Sequence, residues 1–154
     1  MSLLALLRRL ARCTSGTAAL EGALVLPVAI SLMAGGVEFG RIFSAYGTAE
    51  KSMRDAARYL ARVAKPPQGD VCGWGLTNAR NLAVYGILNP SNTDQPLIPN
   101  WTTGTVTLQG VDCNNPSIID LRAAVPYTGV MFSAIGLPNA WTMNVKHQEL
   151  WIGE

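Results

Sequence analysis

The chain has 154 residues, 49% of them hydrophobic and only 14% charged, where an ordinary soluble domain carries roughly a quarter charged residues. That length argues against a two-domain enzyme, and the apolar excess calls for a segment that avoids water. The net charge of +2 resides at the N-terminus, in Arg8, Arg9 and Arg12; beyond residue 16, 9 basic residues stand against 10 acidic ones, a balance of −1 that offers no basic face for nucleic acid.

Residues 1–16 read as a short basic leader. From Thr17 the sequence runs TAALEGALVLPVAISLMAGGVEFGR, with 16 consecutive uncharged residues between Glu21 and Glu38. Flanked by Ala18 to Leu20 and Phe39, this stretch approaches the roughly 20 residues that cross a bilayer core. Three arginines precede it and none follows until Arg41, which puts the N-terminus in the cytoplasm and everything after about residue 40 outside. Pro27 predicts a kink that a membrane helix tolerates. Gly35 and Gly36 loosen the same helix and, with Gly22, permit close approach of neighbouring helices. Glu21 is the most informative residue, because a carboxylate at the edge of a span costs several kcal/mol unless it is neutralised or paired. An ordinary secretory signal, with residues 22–34 as its apolar core and Ala34-Gly35-Gly36 at the cut, would discard half of one continuous helix and leave Glu21 without a purpose.

After the span the apolar pattern becomes periodic. Phe39, Phe43, Tyr46, Met53, Ala57, Leu60 and Ala64 form one helical stripe. Arg41, Glu50, Lys51, Arg54, Asp55, Arg58 and Arg62 make the wet face, with Glu50–Arg54 and Asp55–Arg58 spaced to pair. Lys65 followed by Pro66-Pro67 stops the helix. Residues 17–64 are therefore expected to form one membrane and stem helix, roughly 70 Å long at about 1.5 Å per residue.

Gly16 followed by Thr17-Ala18-Ala19-Leu20-Glu21 and an apolar run resembles a type IV prepilin processing site. The A-x-E-x-A-L-V-L-P core ending at Pro27, the V-E-F-G-R exit at Val37 to Arg41 and Ala56-Ala57-Arg58-Tyr59 resemble the TadE-like pseudopilins of tight-adherence (Flp) pili over about residues 15 to 63. The resemblance implies that a prepilin peptidase cuts between Gly16 and Thr17. It also implies that Glu21, fifth in the mature chain, pairs with a neighbouring subunit's new ammonium and sets the assembly register. Gly22 departs from the Tyr of the much shorter major Flp pilins, so the implied role is that of a minor pseudopilin, structural rather than enzymatic. Implied partners are prepilin peptidase, other pilins or pseudopilins, the inner-membrane assembly platform and the lipid bilayer. The implied location is the bacterial inner membrane, single-pass, with the C-terminal domain periplasmic, and either incorporated into a pilus or released. The alternative is an uncleaved, single-pass anchored periplasmic binding or tethering protein in which Glu21 is incidental.

Residues 65–154 read as a small domain. Cleavage after Gly16 would remove Cys13; Cys72 and Cys113, with 40 residues between them and no C-x-x-C spacing, form either one disulfide worth about 2 to 4 kcal/mol or two buried thiols. Thr77 to Leu88 predicts a second helix with Thr77 as its cap, followed by a Pro- and Asn-rich loop to about Thr103. Alternation predicts strands at Thr105 to Val111, Ile119 to Val125 and Trp141 to Trp151. The fold class is therefore α+β, pilin-like: a long N-terminal transmembrane and stem helix, then a second helix and a three-stranded antiparallel sheet. The apolar connection Tyr127 to Leu137 needs a cover, either the sheet or a partner surface. The sole histidine, His147, lies in a strand and Asp120–Arg122 is an ordinary surface pair. The sequence offers no catalytic constellation, metal cluster, cofactor motif or phosphate-binding loop.

Overall fold

The computed structural model describes residues 15–64, 69–134, 136 and 138–153. The leader through residue 14 with Cys13, the Pro66-Pro67 stop, Ile135 and Leu137 lie outside the described residues.

Helix α1 is a single element, Ser15–Leu60, of 46 residues. At about 1.5 Å per residue it extends some 69 Å. It runs unbroken through Pro27, which cannot donate to the preceding turn; one turn on, the Ser31 hydroxyl donates to the Pro27 carbonyl at 2.8 Å. Residues 16–33 are exposed on every side, and the helix is long and apolar enough to cross a membrane. Its far end behaves oppositely, with Ala49, Met53, Ala56, Ala57 and Leu60 fully buried.

The stripe differs from its sequence expectation. Phe43 and Tyr46 remain 73% and 42% exposed, and the buried apolar face starts at Ala49, well after the isolated buried Glu38. Small alanines carry the contact because they let neighbouring elements approach the helix backbone closely. Charge pairing is also redistributed. Glu50 and Arg54 pair at 3.9 Å, whereas Arg58 leaves Asp55 and reaches Glu149, 3.3 Å away on the sheet. The helix ends before the prolines, at Leu60, and its last carbonyls find partners from the chain's far end: Ile152 N–H donates to Ala61 O and Trp151 Nε1 to Val63 O, both at 2.9 Å.

Helix α2, Leu76–Tyr85, grows out of a wide turn at Val71–Gly75. Asp70 caps that turn, its carboxylate accepting from Gly73 N–H at 2.7 Å, and α2 itself starts after Gly75 with no side-chain cap. Thr77 is not the cap, since its hydroxyl donates back to the Gly73 carbonyl at 3.1 Å. The helix stops earlier than Leu88 because Gly86 takes a left-handed conformation, φ 76°, and returns its N–H to Leu82 O at 3.0 Å. The following loop is part of the core: Trp101 is 1% exposed and donates through Nε1 to Thr105 Oγ1 at 3.0 Å, and Ile98 is buried beside it.

Strands β1 (Val106–Leu108), β2 (Ile118–Thr128) and β3 (Ala140–Leu150) form an antiparallel sheet in chain order. Val106 pairs with Ala123, Ile118 with Leu150 and Thr128 with Ala140. Strand β1 reaches only Leu121 to Ala123 of β2, so Pro126 has no strand on that side to which a missing N–H would matter. Ile119, Leu121, Ala123, Val125 and Tyr127 alternate onto the buried face, where α1 packs against β2 while α2 packs against α1 and β1. A disulfide between Cys72 and Cys113, Cα atoms 5.6 Å apart, ties the turn before α2 to the β1–β2 connection. The architecture is α+β, a long apolar helix joined to a small head.

Candidate functional site

The sequence-derived site residues are strung along one helix rather than gathered in a pocket. Gly16 and Thr17 occupy the first turns of α1, Glu21 and Pro27 are exposed on its apolar part, and Gly35 and Gly36 lie near its exit. From Gly16 to Gly36 is about 30 Å of helix, the thickness of a bilayer's hydrocarbon. Among the described residues no side chain pairs with Glu21. Nor do three His, Cys, Asp or Glu converge among them as a metal site would require.

A second carboxylate is held quite differently. Glu38, one residue beyond the uncharged run, is fully buried. The Tyr127 hydroxyl donates to its Oε1 at 2.5 Å and the Met131 backbone N–H donates to its Oε2 at 2.8 Å. Both oxygens accept, the arrangement that suits an ionised carboxylate in a dry place. Gly129 makes the approach possible, because a Cβ there would lie 3.1 Å from Glu38 Oε1. Its own N–H closes the loop onto Asn139 O at 2.6 Å. The short helix α3, Met131–Ala134, sets Phe132 edge-on to Phe39 of the stem, ring centroids 6.1 Å apart, with Trp141 on the other side at 6.4 Å. Burial first, and then the bond to Glu38, push the Tyr127 hydroxyl up to about 12.

The β2–β3 connection therefore folds back onto the stem, where its Met131 N–H and, from the end of β2, the Tyr127 hydroxyl supply the donors that Glu38 requires. Sequence reasoning treated Glu38 only as the end of the span. A lone carboxylate after an apolar run was the available signal, but its partner Tyr127 lies 89 positions away and no local spacing announces it.

A further joint fastens the distal end. Arg58 of the stem and His147 both contact Glu149 Oε1, at 3.3 and 3.2 Å. The His147 bond, then Arg58, hold the Glu149 carboxyl below its ordinary range despite partial burial. With Trp151 and Ile152 bonded to Val63 and Ala61 just past the end of α1, the head grips the stem at both Glu38 and residues 58–63.

The family model described as TadE-like protein matches residues 16–58, beginning at Gly16 and ending at Arg58 within α1. The stem is TadE-like. No curated protein and no solved structure matches the chain. The TadE-like stem contains Gly16, Thr17, Glu21, Pro27, Gly35, Gly36 and Glu38, whereas the disulfide, Tyr127 and the sheet belong to the head beyond the match.

Proposed function

We propose that this protein is a minor pseudopilin of a tight-adherence (Flp/type IVc) pilus assembly system, cleaved after Gly16 by prepilin peptidase and acting structurally in pilus biogenesis. The observation that carries this reading is the TadE-like match, whose first residue is Gly16. Cleavage there would leave a new ammonium at Thr17 and Glu21 one helical turn away, on a helix exposed on all sides. In lipid an unpaired carboxylate is costly, so Glu21 favours association with a neighbour bearing the opposite charge. Other pilins or pseudopilins and the inner-membrane assembly platform are the partners this chemistry suits, with the head in the periplasm.

Glu38 argues against an ordinary secretory cut after Gly36. Such a cut would leave Glu38 second in the mature chain, at a fraying terminus, although it is the residue the head grips on both oxygens. Intact-mass measurement and N-terminal sequencing of membrane-extracted protein test the proposal. The mature chain is expected to begin at Thr17, and Gly16→Ala to retain the leader. A start near Val37 would overturn it, and a wild-type chain with its leader intact would instead favour the anchored tethering protein.

A further inference from the structure

We propose that the connection between β2 and β3 is a second membrane contact, seated in the phospholipid head-group layer where α1 leaves the bilayer. The inference rests on the reading of α1 as a membrane span. With about 30 Å of helix between Gly16 and Gly36, the hydrocarbon boundary falls at Val37 and Glu38. The connection is pinned to that level at two points, Met131 on Glu38 and Phe132 on Phe39, and the end of β2 at a third, Tyr127 on Glu38. Burial extends lower still. Ala34 and Gly35, one turn toward the N-terminus on the same helix face as Glu38, are half-buried, whereas residues 16–33 are all exposed.

The surface at that level is apolar. Val130 is 52% exposed and Trp141 53%, close to Phe39 at 56%. No charged residue occurs from Pro126 to Trp141. The Trp141 indole N–H is already bonded to Pro138 O at 3.1 Å, so the ring presents an apolar face with its polar edge satisfied. Tryptophan is enriched at the boundary between lipid chains and head groups, and here burying the ring leaves no N–H unpaired. Arg41, exposed one turn beyond Glu38, stands at the height of the lipid phosphates. A lipid surface is the occupant because the patch is continuous with the span's own lipid-facing wall. Two contacts, span and connection, would fix the tilt of the head over the membrane.

The test places single nitroxides at Val130→Cys, Leu26→Cys and Gln109→Cys in the full chain, in a Cys13→Ser background with the Cys72–Cys113 disulfide kept oxidised. The protein is reconstituted in phosphatidylethanolamine–phosphatidylglycerol vesicles. Collisions with lipid-soluble oxygen relative to a water-soluble nickel chelate should be several-fold higher at 130 than at 109, and below those at 26. Bromines near the head-group end of the lipid chains should quench a share of tryptophan emission that Trp141→Phe removes. A label at 130 that reads like 109 while 26 reads deep overturns the inference and leaves the span intact; a water-like label at 26 as well would sink the span itself. Shielding at 130 from both collision partners, with spin–spin broadening between copies, would make the patch a protein interface and refute the lipid assignment.

Discussion

Glu38 stands one residue past 16 uncharged positions, where lipid would reject a bare carboxylate, and the head answers with a tyrosine hydroxyl and a backbone N–H. Tyr127 shows the consequence. Burial is the larger cause of its raised pKa, near 12, and the Glu38 bond the smaller. Because folding keeps this hydroxyl neutral, its contribution to stability is full below the ordinary tyrosine value of 10.0 and is lost as pH rises from there through about 12. In detergent-solubilised protein, tyrosinate absorbance should therefore show one late-titrating ring that Tyr127→Phe eliminates. Glu38→Gln should bring that ring earlier, yet leave it above the ordinary range, since burial persists. An unchanged titration in Glu38→Gln would mean that the clasp does not hold in solution. In the sequence Glu38 marks only the end of the apolar run, and its partner is not legible, because proximity between residues 38 and 127 is created only when the sheet packs on the stem.

Among elements, those with local periodic signals were readable: the apolar run of α1, the alternation of β2 and β3, and the inward parity of Met143, Val145 and His147. Boundaries set by a single backbone choice were less so. Gly86 in the left-handed region ended α2 before Leu88, and its N-cap position fell to Gly75, which has no capping side chain, rather than to Thr77. Trp101 was hidden for another reason, since it sits in a Pro- and Asn-rich stretch without periodicity and reaches the core through tertiary packing alone. The disulfide joins two such irregular segments across 41 positions. Reduction, or a Cys72→Ser/Cys113→Ser pair, should lower the denaturation free energy of the oxidised protein by about 2 to 4 kcal/mol, and the double variant should no longer respond to reductant. Acid acts on the sheet surface. Asp120 accepts from Arg122 and Gln148 and lies 3.5 Å from Lys146, contacts that hold its carboxyl below the ordinary 3.8, with the Arg122 bond foremost. A depressed carboxyl stabilises the fold above its unfolded value and loses that effect as pH falls further. Melting temperatures measured downward from pH 5 should thus fall less steeply below about 3.8 in Asp120→Asn than in the wild type.

At the scale of the whole molecule the two ends of the stem are opposites. The distal end is saturated by the head, through Arg58–Glu149, Trp151–Val63 and Ile152–Ala61. The proximal end offers only apolar wall and Glu21, for which the described residues supply no counter-charge. On the proposed reading, an assembly built from such a subunit would use what the fold leaves unsatisfied, with the pairing energy in the span and the orientation set by the head. Substitutions at the two carboxylates should then separate cleanly. Glu21→Gln removes the charge without touching any contact of the head, and is expected to leave membrane insertion, thermal stability and the Tyr127 titration as in the wild type while abolishing co-purification with pilin partners from detergent-solubilised membranes. Glu38→Gln should do the reverse, altering the titration and loosening the connection while partner recovery falls only in part. If Glu21→Gln protein still recovers the same partners in the same amounts, the carboxylate does not set the register, and the tethering reading, in which Glu21 is incidental, takes its place.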